Sequence, residues 1–253
     1  MTTDNTDSGN AIVRVAFGIY AWIVFSFILL AATLGVALIP GLHRRRRWLA
    51  NVSRLFFRLV AIPVAVQGLD NFPPGHCVLV ANHASHIDGL LLQAVLPPRF
   101  SYVIKGEMRD VPIVHFLLRR IGARFVERFV TSESARDARK LLRASSNGES
   151  FAFFPEGTFI APPGLGRFRP GAFATAIKGQ IPLIPVVICG ARKILPASVW
   201  LPRHGGLSVD ILQPIQPQDA AFASSLTLAA EARQRMLQIL DEGDLLQPTD
   251  PAR

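Results

Sequence analysis

The feature that most constrains this chain is the run from Ala16 to Ile39, which contains no charged residue. As a helix it spans about 36 Å at ~1.5 Å per residue, against ~30 Å of bilayer hydrocarbon. It is long enough to cross a membrane. His43-Arg44-Arg45-Arg46-Arg47-Trp48 follows at once, an arginine block with a flanking tryptophan that marks stop-transfer and interface. A cleavable signal peptide has a shorter apolar run without such a block. By the positive-inside rule the remaining chain lies on the cytoplasmic face of an inner membrane or its equivalent. Two alternatives stay open: a buried core helix, and a bent hairpin in one leaflet. The hairpin would use Leu55 to Ile62, apolar but punctuated by Arg54 and Arg58, as an interfacial amphipathic helix. Met1 to Asn10 is polar and expected to be disordered.

A length of 253 residues suits one large domain behind such an anchor: 1–62 as tail, anchor and basic interfacial helix, and 63–253 as the folded domain. The net charge of +9 is almost all arginine, since the only lysines are Lys105, Lys140, Lys178 and Lys193. Arginine grips phosphate in a bidentate fork, so phosphorylated ligands, anionic lipid and nucleic acid are the partners that charge admits. Nucleic acid is set aside, because no aromatic-interleaved basic platform or recognition helix is present. Cys77 and Cys189 each adjoin apolar runs and read as buried thiols rather than a disulfide framework. A metal site drawn from His76, Cys77, His83 and His86 lacks a second ligand cluster, so no metal is expected.

Beyond Pro63 short apolar runs alternate with helical stretches. Strands are expected at Val64–Val66, Cys77–Ala81, Ser101–Lys105, Arg124–Arg128, Ser150–Phe154, Leu183–Ile188 and Leu207–Leu212. Helices are expected at Asp88–Val95, Pro112–Ile121, Ser132–Ser145, Ala172–Lys178 and Pro217–Leu240. This order predicts an α/β fold, with a mixed, largely parallel sheet flanked by helices.

Two of these strands end in polar tips. Val78-Leu79-Val80-Ala81 runs into Asn82-His83-Ala84-Ser85-His86-Ile87-Asp88-Gly89, and Phe153-Phe154 runs into Pro155-Glu156-Gly157-Thr158. A strand delivering polar groups to the start of a helix is a common way to hold catalytic side chains at a sheet rim. Between these tips lie Lys105-Gly106-Glu107-Met108 and Gly122-Ala123-Arg124-Phe125-Val126-Glu127-Arg128, and after them Ile181-Pro182-Leu183-Ile184-Pro185-Val186.

In this order the blocks resemble the glycerolipid acyltransferases typified by 1-acylglycerol-3-phosphate acyltransferase. That family's pattern is Asn-His-x-x-x-x-Asp, Gly-x-x-Phe-(Ile/Val)-x-Arg, Phe-Pro-Glu-Gly-Thr-Arg and (Val/Ile)-Pro-(Val/Ile). The resemblance covers roughly Gly68 to Gly190. It implies transfer of an acyl group from a thioester, acyl-CoA or acyl carrier protein, to the hydroxyl of a lysophospholipid, with no cofactor beyond that co-substrate. It implies His83 as general base and Asp88 as the group that fixes its tautomer. Asn82, Lys105, Arg124, Arg128, Glu156, Gly157, Thr158 and Arg169 are the implied substrate-binding residues. Membrane lipids, the lysophospholipid acceptor and an acyl carrier protein are the implied partners.

The chemistry is consistent with that assignment. A histidine's unperturbed pKa of about 6.5 lies near working pH, and general-base help is worth roughly 10²- to 10⁴-fold. The acceptor hydroxyl itself attacks, so no serine nucleophile is required. His86 is the rival base, but it stands only two residues from Asp88. Backbone amides at the strand-to-helix turns are the expected oxyanion donors. One residue departs from the pattern: Phe159 stands where the family carries arginine. The loss of a phosphate fork there leaves Arg124, Arg128 and Arg169 to take its place. It also opens other lysolipids, including a lyso-aminolipid, as acceptors, and a thioester hydrolase remains an alternative class.

Overall fold

The structure is a computed structural model that describes residues 4–126, 140, 141, 143–145 and 147–246, with side chains from residue 11 onward. A seven-stranded sheet runs in the order β1-β7-β6-β2-β5-β3-β4. Its strands are β1 (Val64–Gln67), β2 (Val78–Ala81), β3 (Phe100–Lys105), β4 (Arg124–Val126), β5 (Ser150–Phe153), β6 (Leu183–Cys189) and β7 (Leu207–Ile211). β6, β2, β5, β3 and β4 are mutually parallel, whereas β7 is antiparallel to β6 and parallel to β1. The sheet is thus mixed and largely parallel, as the alternation of strands and helices predicts. β2 is central, and all of its residues are buried, which is why it reads as an unbroken apolar run.

Alternation along β2 and β5 sends Leu79, Ala81 and Ala152 to one face and Val78, Val80, Phe151 and Phe153 to the other. On the first face lies helix α3 (Asp88–Val95) through Leu91 and Leu92. On the second lies helix α5 (Gly171–Gly179) through Ala172, Phe173 and Ala176. The crossover from β2 passes over β5 to reach β3, and that from β5 passes over β2 to reach β6. The two connections leave in opposite directions, so the C-terminal ends of β2 and β5 flank the kind of crevice where open α/β sheets bind ligands.

The N-terminal segment folds into an antiparallel pair, α1 (Asp4–Leu38) and α2 (Leu42–Leu59). Residues 4–10, expected to be disordered, begin the helix instead. Within α1, Ala11–Leu38 is apolar enough to cross a membrane, with a mean hydropathy of 2.4. Trp48 crosses at Gly35, where an added Cβ would lie 1.9 Å from its Nε1, and Nε1 donates to the Ala31 carbonyl at 3.2 Å. Farther along, Phe25 meets Phe56 edge-on at 6.0 Å, and the Tyr20 hydroxyl donates to the Leu59 carbonyl at 2.9 Å.

Buried faces of α1 and α2 join the same core as α3 and the sheet. Arginines fasten them there. Helix α4 (Pro112–Arg120) ends in Arg120, whose Nε and Nη2 donate to the Val36 and Ala37 carbonyls at 2.9 and 2.8 Å. These are orphan acceptors at the end of α1. Arg46, expected in a basic interfacial block, is buried. It donates to the Ile121, Pro98 and Arg99 carbonyls and to Ser101 Oγ, at 2.8, 3.3, 3.2 and 2.6 Å. Arg44 in the same block is exposed.

Other expectations shift by a few residues. The expected Pro217–Leu240 helix is a short 3-10 turn, Ala220–Ala223, followed by α7 (Ser225–Leu237). Ser224 separates them with a capping box, its hydroxyl accepting from the Thr227 N–H. A one-turn helix, α6 (Ala191–Ile194), was not anticipated. Most of the expected helix Ser132–Ser145, and the end of the expected strand at Glu127 and Arg128, lie outside the described residues.

Candidate active site

β2 ends where Asn82 stops pairing through its backbone and pairs through its side chain. Asn82 Oδ1 accepts from the Ile188 N–H at 2.7 Å and Nδ2 donates to the Ile188 carbonyl at 2.9 Å. The amide group thereby adds one more rung between β2 and β6. Both of its polar groups are engaged and it is 4% exposed, so Asn82 shapes the scaffold of the turn. The chain then turns, and Ser85 locks the turn by donating to the Leu195 carbonyl at 2.6 Å.

Asp88 is the first residue of α3 and fully buried. Its Oδ2 accepts from His83 Nδ1 at 2.8 Å, from the Ala84 N–H at 2.7 Å and from the Ser85 N–H at 2.8 Å. A five-residue spacing across the strand-to-helix turn brings the carboxylate back onto the imidazole. With Nδ1 held by a carboxylate, Nε2 is the nitrogen left for a proton acceptor's role. Asp88 Oδ1 is buried without a hydrogen-bond partner among the described residues.

Glu156, at the tip of β5, holds the other side of the same turn. Its Oε1 accepts from the His83 N–H at 2.7 Å and its Oε2 from the Gly166 N–H at 2.7 Å. Each oxygen of the carboxylate thus holds a backbone amide. Burial pushes its pKa above the ordinary carboxylate value, against the pull of those two amides and of the His83 and Arg233 charges. Gly166 has no room for a side chain, since a Cβ would sit 2.6 Å from Glu156 Oε2. Gly157 closes the tip with φ of +82° and an N–H donated to the Phe154 carbonyl at 3.0 Å. The amides of His83, Ala84, Ser85 and Gly157 are thus all engaged within the turns.

Arg233 on α7 reaches into this arrangement from behind. Its guanidinium donates to the Gly166 carbonyl, to the Leu165 carbonyl at 2.6 Å and to Asp244, and it lies 5.4 Å from the centre of the Phe168 ring. Arg192 fixes the other end of the loop. Its Nη1 donates to the Ile160 and Ala161 carbonyls, the latter at 3.2 Å, and its Nε pairs with Glu242 at 2.9 Å. Neither arginine carries a motif that a single sequence would expose.

The walls of the site are aromatic. The His83 ring stacks on Phe154 with centroids 4.2 Å apart and meets Phe159 edge-on at 4.7 Å. Phe159 also meets His86 edge-on at 4.6 Å, and His86 stacks on Trp200 at 6.1 Å. His86 makes no contact with Asp88 comparable to that of His83. Burial holds its pKa below the usual histidine value, and the His83 charge pushes the same way, against the pull of Asp88. Lys105 is half-buried at the end of β3.

The structure does not bring every expected residue here. Arg124 Nη2 pairs with Glu149 Oε1 at 2.6 Å, immediately before β5 begins. Register nevertheless sets the Arg124 backbone level with Val103 and, through it, with Phe153 at the end of β5, and the side chain turns back along the sheet to reach Glu149. Arg169 stands beside the tip, its N–H donating to the Pro155 carbonyl at 2.8 Å, with an exposed side chain; Thr158 is also exposed. Arg128 lies outside the described residues. Among the described residues no group of three His, Cys, Asp or Glu side chains is placed to hold a metal ion.

Comparison with known proteins supplies independent findings. The family model described as Acyltransferase matches residues 63–189. A chloroplastic 1-acyl-sn-glycerol-3-phosphate acyltransferase of Brassica napus is 28% identical over 203 residues, 78% of this chain and 57% of the relative. The 1-acyl-sn-glycerol-3-phosphate acyltransferase of Saccharomyces cerevisiae is 25% identical over 209 residues, 80% of this chain and 68% of the relative. The match thus spans less than two thirds of the plastid protein. The crystal structure of the 1-acyl-sn-glycerophosphate (LPA) acyltransferase PlsC from Thermotoga maritima aligns with a TM-score of 0.75 at 22% identity, covering 90% of this chain and 95% of that one. It establishes a shared fold.

Proposed function

The chain belongs to the acyltransferase family, and from that premise we propose that it moves a fatty acyl group from an acyl thioester to the hydroxyl of a lysophospholipid. The leading acceptor is 1-acylglycerol-3-phosphate, the product then being phosphatidic acid, and α1 holds the enzyme at the cytoplasmic face of its membrane. The observation that carries this reading is the 2.8 Å contact between His83 Nδ1 and Asp88 Oδ2 at the crevice between β2 and β5.

In this mechanism the acceptor hydroxyl gives its proton to His83 Nε2 as its oxygen attacks the thioester carbonyl. Asp88 steadies the imidazolium so formed. Collapse of the tetrahedral adduct expels the thiolate of the donor, which is a good leaving group because a thiol's pKa is near 8.5. Phe154 and Phe159 keep bulk water from the imidazole on two sides, favouring the lipid hydroxyl over hydrolysis. Lys105 and Arg169 are the candidates for the acceptor's phosphate.

A second acceptor class is favoured by one observation. Phe159 places an aromatic edge 4.7 Å from the His83 ring where the family carries an arginine. That exchange suits a lysolipid whose headgroup does not present a bare phosphomonoester at this point.

The test is a panel of 1-acylglycerol-3-phosphate, glycerol 3-phosphate, lysophospholipids and a lyso-aminolipid, supplied with acyl-CoA or acyl carrier protein thioester. Acylated product and free fatty acid are followed together. Acceptor-dependent product that disappears in His83→Ala is expected. Free fatty acid without acceptor dependence would make the chain a thioester hydrolase, and full activity in His83→Ala would refute the mechanism.

A further inference from the structure

The segment Pro196–His204 between α6 and β7 carries the most exposed tryptophan of the chain. Trp200 is 76% exposed and the adjacent Leu201 37%. A tryptophan left in water is unusual, because its large apolar ring with one polar tip suits interfaces that are half wet. The segment is not free to wander. Trp22 Nε1, on α1, donates to the Trp200 carbonyl at 2.7 Å, and Phe17 meets His204 edge-on at 5.5 Å. Gly18 lets it approach, since a Cβ there would stand 2.9 Å from Leu201 Cδ2. The segment therefore lies along the same turns of α1 whose outer side presents Ile19, Tyr20, Ile23 and Phe27, at 51%, 45%, 51% and 69% exposure.

Trp200 also faces inward, through His86 and Phe159 to His83. Behind this aromatic series is a cavity of about 110 Å³ whose lining includes Trp22, Phe25, Phe56, His86, Leu90 and Pro202. One side of Trp200 is thus continuous with the apolar surface of the anchor helix, and the other with the histidine.

We propose that Pro196–His204, with Trp200 at its crest, is a second membrane-contacting element beside α1, and that Trp200 and His86 wall a lateral passage by which the acyl chain of a bilayer lipid reaches His83. The passage rests on the acyl-transfer reading above; the membrane contact does not. The occupant of the outer face is a phospholipid bilayer, argued from its continuity with the exposed apolar side of α1.

Trp22, Trp48 and Trp200 are the only tryptophans, so subtracting the emission of Trp200→Phe from that of the full chain isolates one fluorophore. Both proteins are reconstituted in vesicles of phosphatidylcholine and phosphatidylglycerol, with and without bromine on the acyl chains. The difference spectrum is expected to be blue-shifted and quenched by bromine. A difference spectrum unquenched by brominated lipid, whether water-like or shielded by a second protein chain, overturns the contact. In parallel, Trp200→Ala is assayed with a long-chain lysolipid in vesicles and a short-chain acceptor in solution. The apparent KM for the vesicle acceptor should rise on the order of tenfold, the usual loss for one buried aromatic contact, and several times more than the KM for the short-chain acceptor. An equal loss on both acceptors overturns the passage, with the thermal melt of Trp200→Ala confirming that the fold is kept. A wild-type chain inactive on every acceptor refutes acyl transfer and the passage together, while the bromine arm still decides the contact.

Discussion

Replacing Asp88 with asparagine tests whether its charge, and not merely its shape, serves His83. Asp88 Oδ2 accepts three N–H groups, from His83 Nδ1, Ala84 and Ser85, at 2.8, 2.7 and 2.8 Å. In Asp88→Asn the amide oxygen can occupy that position and keep all three. The new NH₂ group then falls at the site of Oδ1, which is buried and has no partner among the described residues. An unsatisfied buried donor costs about 1–3 kcal/mol, so the variant should fold with a modest loss of stability. Catalysis loses the charge-assisted part of the bond to the imidazolium, about 1.5–3 kcal/mol, or about 10- to 150-fold in kcat. If the amide settles the other way round and imposes the wrong tautomer, the loss approaches the ~10⁴-fold known for catalytic triads. Asp88→Ala is the contrast. It strips the acceptor from two buried backbone amides at about 1–3 kcal/mol each and should compromise folding itself.

The assay is single-turnover acyl transfer by purified His83→Ala, Asp88→Asn and the double variant, each checked by thermal melting. If Asp88 acts through His83, the double variant is no slower than His83→Ala alone. Additive losses, or wild-type kcat in Asp88→Asn, would refute the pairing as the source of catalysis.

Four further expectations follow from the same structure. Arg46→Ala should lower stability by about 2–4 kcal/mol, because it leaves buried carbonyls unmet, whereas exposed Arg44→Ala should change it by less than about 0.5 kcal/mol; denaturant melts separate the two. Gly35→Val collides with Trp48 and should splay α1 from α2, read as a red-shifted Trp48 emission and loss of membrane-bound activity. Arg233→Lys keeps charge but loses the fork that holds Gly166, Leu165 and Asp244, so kcat should fall severalfold with little change in the KM of the thioester. Burial pushes the Cys77 thiol up to about 11, so at pH 8 only about one molecule in a thousand carries the thiolate, and a thiol reagent should label Cys77 only after denaturation.

The strand tips were legible because their chemistry is local. A fully buried strand reads as an unbroken apolar run, and five residues from His83 to Asp88 are closed by one turn and the start of one helix. Elements set by distant partners were not legible. Four adjacent arginines give no sign of which one turns inward, since that depends on carbonyls at Pro98, Arg99 and Ile121 that only the fold supplies. Arg124 looked like a substrate ligand from its motif, and its backbone does lie level with Phe153, yet Glu149, 25 positions along the chain, takes its guanidinium. Asn82 and Glu156 sit in the expected places, but each is occupied with backbone groups that the sequence cannot locate. The residues that hold the Glu156 loop from behind, Arg192 and Arg233, belong to helices with no motif at all.

Those two arginines change how the second tip is understood. Glu156 touches His83 only through the backbone N–H, so it governs where the imidazole sits and not its protonation directly. Its second oxygen depends on Gly166, and Gly166 depends on Arg233, which is itself held by Asp244. Arg192 and Glu242 fix Ile160, Ala161 and Gly164 on the same loop. Phe159 lies between these anchors, so its contact with both histidines is a consequence of a loop fastened at each side and not of a free side chain. A residue in that position can exchange arginine for phenylalanine without disturbing the base, because Asp88 and Glu156 position the imidazole independently of it. Under the proposed acyl transfer, the arrangement would separate the chemistry, assigned to β2 and α3, from the choice of acceptor, assigned to the loop after β5 that the C-terminal segment clamps.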